Sequence, residues 1–177
     1  MSGAFAIGTE AFTNVSTNRN INIQTTDDYV AVFTLTQQGT GRRSLLDGNP
    51  SELQFDIPSP DEGNYPAGNP TDPEGLGIDS VYRFGEDAAH DEPGLFGVKN
   101  QGTQPVEVYS TQETTAGVPS VTMYDVETGN LLTESSPSGP LAVGEQLICG
   151  LEIDTHGVPV QEEEYDVTLT INAVATD

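Results

Sequence analysis

The side chains best able to do metal or nucleophilic chemistry are few: two histidines, His90 and His156, and one cysteine, Cys149. The histidines lie far apart, and neither belongs to a His-Glu-x-x-His helix, the spacing that sets two imidazoles on one face with a general base beside them. No strand-turn-helix serine motif supplies a nucleophile, and no Gly-rich loop with a lysine is present to cradle phosphate. Cys149 has no partner for an internal disulfide, and in Leu147-Ile-Cys-Gly-Leu-Glu-Ile153 it alternates with Leu147, Leu151 and Ile153, the pattern of a buried core thiol. Carboxylates at Asp61, Glu62, Asp72, Glu74, Glu86, Asp87, Asp91 and Glu92 offer oxygen to calcium but lack the EF-hand spacing and its closing bidentate Glu, so a solvated acidic surface is the better reading. The expectation is therefore no catalytic residue, no cofactor and no metal site: not an enzyme. Asn14-Val-Ser16 is an acceptor sequon for N-glycosylation, whereas proline excludes Asn49 and Asn69.

What remains is chemistry of the main chain, and it concentrates in the first dozen residues. Residues 2–12 are apolar and nearly uncharged on an otherwise acidic chain. With period 2, Phe5, Ile7 and Thr9 fall on one side, and Ala4, Ala6 and Gly8 make a small-residue side that lets another backbone come close. That is the profile of a strand that inserts into a sheet, and residues 1–13 are read as such a donor segment ahead of a single domain at 14–177. The competing reading is a frayed terminus or the residue of a cleaved export signal.

Composition bounds the partners. Five Lys and Arg against 28 Asp and Glu give a formal net charge of −23, with Lys99 the one lysine. Such a surface disfavours nucleic acid and anionic membranes. Self-repulsion of this size burdens a fold in dilute buffer, but near 1 M salt the Debye length falls to roughly 3 Å and the burden largely disappears, which points to a salt-loving source. With 34% hydrophobic residues in alternating blocks, the chain is not an acidic disordered one. No run of 18 apolar residues exists to span a membrane, and no basic n-region follows Met1; if the protein is exported, its numbering is expected to start after signal removal.

The elements that would position all this are strands. Residues 21–23 and 28–36 read as two strands with a tight connection, the second apolar on both parities and so centrally placed; 52–57 alternates before Pro58. From Pro58 to Gly94 runs an acidic excursion rich in Pro and Gly, with strand character only at 78–84. Strands resume at 94–99 and 105–110 around Asn100-Gln-Gly102, and at 121–126 and 131–133, read as two hairpins. Residues 141–145 lead into 146–153, and 165–173 closes the fold with Val167, Leu169, Ile171 and Ala173 on one face. Nine or ten short strands without an amphipathic helix make an all-β sandwich or jelly roll.

Tyr29-Val-Ala-Val-Phe33, Leu95-Phe-Gly-Val-Lys-Asn-Gln-Gly-Thr-Gln-Pro-Val-Glu-Val108, Leu141-Ala-Val-Gly-Glu145 and Leu151-Glu-Ile-Asp-Thr155, with Gly3-Ala-Phe5 and Ala11-Phe-Thr13, resemble haloarchaeal secreted proteins related to the TasA and camelysin group and to archaeal bundling-pilus subunits. The resemblance spans most of the chain but rests on strand-and-turn patterns, and it leaves the 58–94 excursion unplaced. It implies a jelly-roll subunit of an extracellular or cell-surface filament, a pilus or matrix fibre of a halophilic archaeon, in which identical subunits join head to tail by donating Ala4, Phe5, Ala6, Ile7, Gly8 and Thr9 to a neighbour's sheet. The alternative is a monomeric secreted or cell-surface sandwich whose acidic loop binds a ligand.

Overall fold

The computed structural model describes residues 19–25, 33–38, 44–45, 52–57, 76–85, 94–113, 116–159 and 165–176. Among them are ten strands and no helix: β1 (Arg19–Thr25), β2 (Phe33–Gln37), β3 (Ser44–Leu45), β4 (Glu52–Ile57), β5 (Val81–Phe84), β6 (Phe96–Asn100), β7 (Val106–Gln112), β8 (Ser120–Asp125), β9 (Gln146–Asp154) and β10 (Val167–Ala175). The alternation of apolar and polar residues becomes alternation of burial. Leu53, Phe55 and Ile57 of β4, and Val167, Leu169, Ile171 and Ala173 of β10, all face the core.

One sheet has the order β3-β4-β1-β10-β7, with β1 parallel to β10 and the other pairs antiparallel. The second is antiparallel and holds β2, β6, β9, β5 and β8. The two share a single core cluster, in which the rings of Phe55 from the first sheet and Phe96 from the second meet at 5.5 Å between centroids. Each ring is fully buried, and burial of a side chain this size contributes about 2–3 kcal/mol.

The register around β9 shows that β5 and β6 are one row. β8 covers residues 149–154 on one edge of β9, so β5, opposite 151–154, and β6, opposite 146–149, must share the other edge. Phe84 lies opposite Leu151 and Phe96 opposite Cys149, so the chain leaves the row after Phe84 and re-enters it two positions further along, past Gly150. Gly85 (φ 110°) and Gly94 (φ 84°) flank this departure, in backbone conformations that side chains resist. A Cβ on Gly85 would stand 3.4 Å from the Gly94 Cα, so the two ends of the departure meet.

Over the outer side of this row, Tyr124 lies flat across Gly150, where a Cβ would meet the phenol at 2.4 Å. Its hydroxyl donates to the Phe84 carbonyl at 3.1 Å, and the Arg83 guanidinium sits 5.0 Å above the ring while binding Glu152 at 2.7 Å. One tyrosine thus ties β8 to β5 across β9.

Three expected pairings differ in the structure. β1 and β2, expected to be closely connected, belong to different sheets. β2 stands at the end of its sheet's order, although its apolar parities predicted a central strand; much of that double-sided pattern, residues 28–32, lies outside the described residues. β6 and β7 do not form a hairpin: β6 pairs with β2 and β9, and β7 with β10. The cause is Asn100, fully buried, whose Nδ2 donates to Gln104 O (3.0 Å) and Leu141 O (2.9 Å) while its Oδ1 accepts from Gly102 N (2.8 Å). These bonds shape a crossing between sheets where the sequence resembles a turn. The expected return after residues 121–126 is present as a single bridge, Tyr124 to Leu131.

Candidate functional site

Among the described residues no constellation of side chains suggests a reaction, and the distinctive geometry is that of a sheet edge. β2 is held on one side by β6, with Phe33 opposite Asn100 and Leu35 opposite Val98. The Gln38 amide donates to Leu95 O at 3.1 Å, and Asn100 turns its own N–H and C=O away, to Glu145 O (2.9 Å) and Gly144 N (2.8 Å). In an antiparallel ladder the bonded positions alternate, so Thr34 and Thr36 bond inward to β6 while the backbone groups of Phe33 and Leu35 point to the free edge. Among the described residues nothing pairs with them there.

This edge is rigid. Phe33 and Leu35 are anchored in the core. On the outer face the Thr36 hydroxyl accepts from Gln146 Nε2 (2.8 Å) and Gln38 Nε2 (3.1 Å) and lies 3.4 Å from Gly97 O. The Gln146 amide occupies the space a side chain at Gly97 would need, since a Cβ there would come within 1.9 Å of Nε2. The strand is thereby preorganised, so that a partner need not order it.

The opposite side of the molecule is sealed. Residues 132–141 run along β7: Val106 and Leu141 exchange both backbone bonds (3.2 and 2.8 Å), and Ser138 donates its N–H to Val108 O (2.9 Å) while its Oγ accepts from Val108 N (2.9 Å). Ser110, buried, donates through N and Oγ to Leu132 O and accepts the Met123 amide at 3.0 Å. Gln112 spans to β8 likewise, accepting from Val121 N at 2.8 Å and donating to Pro119 O at 2.9 Å. Side-chain groups here take the places of a missing strand, which removes an edge that would otherwise template pairing.

The donor residues Ala4, Phe5, Ala6, Ile7, Gly8 and Thr9, the sequon residue Asn14, His90 and the carboxylates at 61–62, 72, 74, 86–87 and 91–92 lie outside the described residues. His156 is exposed in a turn, its Nδ1 2.6 Å from Asp154 Oδ1. The His156 backbone N–H, then its ring, holds the Asp154 carboxyl below the usual aspartate range. Among the described residues no three His, Cys, Asp or Glu side chains converge as a metal site, and no helix is long and apolar enough to cross a membrane. Cys149 is buried in the core, as its alternation predicts, and burial first, then the Asp125 charge, pushes its thiol well above the ordinary range. Sequence reasoning missed Ser110 and Tyr124. The signal for Ser110 was a lone hydroxyl on the apolar parity of Val106-Glu-Val-Tyr-Ser110; for Tyr124 it was a glycine, Gly150, inside the strand beside it.

Neither a protein-family model nor a curated protein matches the chain.

Proposed function

We propose that this protein is the structural subunit of an extracellular filament of a salt-loving microbe, polymerising when residues 4–9 of one copy pair with a free sheet edge of the next. The observation that carries this reading is the asymmetry of the edges: on β2, braced and core-anchored, the outward backbone groups of Phe33 and Leu35 meet no partner among the described residues, while the β7 and β8 side is closed. A strand laid on β2 would satisfy the N–H and C=O of Phe33 and Leu35, each bond contributing about 1 kcal/mol net. Ordering the donor backbone costs about 1–2 kcal/mol per residue, so the ladder alone does not hold. Phe5 and Ile7 decide the balance, adding about 2–3 kcal/mol each if buried by the acceptor. Every copy is donor and acceptor, and a head-to-tail contact that does not close into a ring grows without limit. The reading includes the jelly-roll arrangement and a place outside the cell; it assigns no catalysis.

Electron microscopy of the full chain in molar salt, with and without residues 2–10, tests it. Filaments are expected from the full chain and none from the deletion or from Phe5→Asp with Ile7→Asp. Filaments of unchanged appearance from the deletion would overturn strand donation, and a monomeric full chain would favour the ligand-binding sandwich instead.

A further inference from the structure

The unpaired stretch of β2 is short, and its limits say what fits it. Phe33 and Leu35 turn their backbone groups outward and meet no partner among the described residues, whereas Gln37, the next position of that parity, is already engaged. The side chains of Phe33 and Leu35 point to the core. On the outer face Gln38 Nε2 and Gln146 Nε2 converge on the Thr36 hydroxyl, at 3.1 and 2.8 Å, and Lys99 stands opposite Thr34. A strand lying here therefore needs two apolar residues two positions apart for its core side and small residues beside Thr34 and Thr36. Beyond the described residues, two large apolar side chains stand two apart around an uncharged residue in only two places, Phe5-Ala6-Ile7 and Val30-Ala31-Val32. The second runs straight on into β2 and so cannot lie along it in the same copy. Residues 2–9 also carry no charge, and β2 and β6 present no carboxylate to them.

We propose that residues 4–8 lie antiparallel on β2 in one register, with Phe5 opposite Leu35, Ala6 opposite Thr34 and Ile7 opposite Phe33; this rests on the strand-donation reading above and adds its geometry. In an antiparallel ladder a residue with outward groups exchanges both bonds with the residue directly opposite, so Phe5 and Ile7 meet all the outward groups of Leu35 and Phe33 and place their own side chains on the core side. A parallel donor draws those bonds from Ala4, Ala6 and Gly8 instead, in a ladder less stable per residue, and every pair in the second sheet is antiparallel. A slip by two residues leaves one anchor opposite Gln37 or beyond Phe33. A slip by one turns Phe5 and Ile7 to the outer face, against the amides gathered at Thr36. In the proposed register Ala4 falls opposite Thr36, where a short side chain avoids those amides.

Disulfide trapping in the full chain tests this, in molar potassium chloride with oxidised glutathione, read on denaturing gels beside electron micrographs. Thr34 and Thr36 bond inward, so residues opposite them form non-hydrogen-bonded pairs with Cα atoms about 4.5 Å apart, within disulfide reach, whereas a partner displaced by two residues stands about 7–8 Å away. Ala4→Cys with Thr36→Cys, and Ala6→Cys with Thr34→Cys, are expected to cross-link copies into ladders at least about ten-fold faster than Gly8→Cys with Thr36→Cys, the pair a parallel donor would bring together. Cys149 is buried and does not compete. Ladders from Gly8→Cys with Thr36→Cys instead, or filaments in which none of the three pairs cross-links, would overturn the register and leave strand donation standing. Matched pairs that cross-link within single chains, without filaments, would keep the register and overturn polymerisation. Neither filaments nor cross-links would overturn both. Dimers trapped by Thr34→Cys alone in a chain lacking residues 2–10 would show β2 pairing with β2 of another copy and overturn the proposal.

Discussion

The two sides of this molecule solve the same problem in opposite ways. Along β7 and β8, outward backbone groups are met one by one, by Ser138 at Val108, Ser110 at Met123, Gln112 at Val121 and the strand-like run from Leu132 to Leu141. Along β2, the effort goes into holding the strand straight, through Thr36, Gln38 and Gln146, while Phe33 and Leu35 keep their outward groups unpaired among the described residues. The difference teaches that the outward groups of Phe33 and Leu35, without a partner among the described residues, are not a failure of packing: the same chain has the means to seal an edge and uses them along β7 and β8.

The largest expected effect comes from the clasp over the row to which both sides are attached. Gly150→Val should destabilise by about 3 kcal/mol, because the added carbons collide with Tyr124 and the Phe84 carbonyl, and a retained melting temperature would show the clasp to be pliable. Next, Ser110→Ala should lose about 2 kcal/mol in chemical denaturation, since it strands the buried Met123 amide. Thr36→Ala on the open side should cost at most about 1 kcal/mol, because water reaches the amides it releases. If the two substitutions cost the same, the contrast between a sealed and an open side fails. A change of salt touches both sides: lowering it from molar to physiological should lower the melting temperature, as screening of the −23 charge weakens.

The smallest effect belongs to Asp154. Its folded-state pKa is depressed, so its stabilising contribution is present above the ordinary aspartate value and disappears as pH falls through the lower folded value. Asp154→Asn should therefore flatten the acid limb of the stability profile slightly and leave neutral pH nearly untouched. The Asp154 side chain is 44% exposed, and solvent screening keeps the effect small.

Strands were legible in the sequence wherever burial alternates, as in β4, β9 and β10, because period-2 patterning reports which face meets the core. Pairing was not. The same pattern suits either sheet, and the choice is made by contacts distant in sequence, such as Asn100 with Leu141 or Val106 with Leu141. Asn100-Gln-Gly102 reads locally as a hairpin turn and is used instead to cross between sheets. The open edge was equally illegible, for an edge is defined by what fails to lie beside it. The buried role of Cys149 was legible from its neighbours Leu147, Leu151 and Ile153 alone.

The interrupted row of β5 and β6 has a use beyond this fold. Because Gly85 and Gly94 stand side by side where the chain leaves the row, whatever is spliced between them is asked only to return to its starting point, and doubling its length adds about 0.6 kcal/mol of closure entropy. The position is a socket for foreign sequence. A binding peptide or reporter tag placed there would be carried by every copy at a fixed site on the scaffold, and if the copies polymerise, that cargo would recur at the spacing of the subunits.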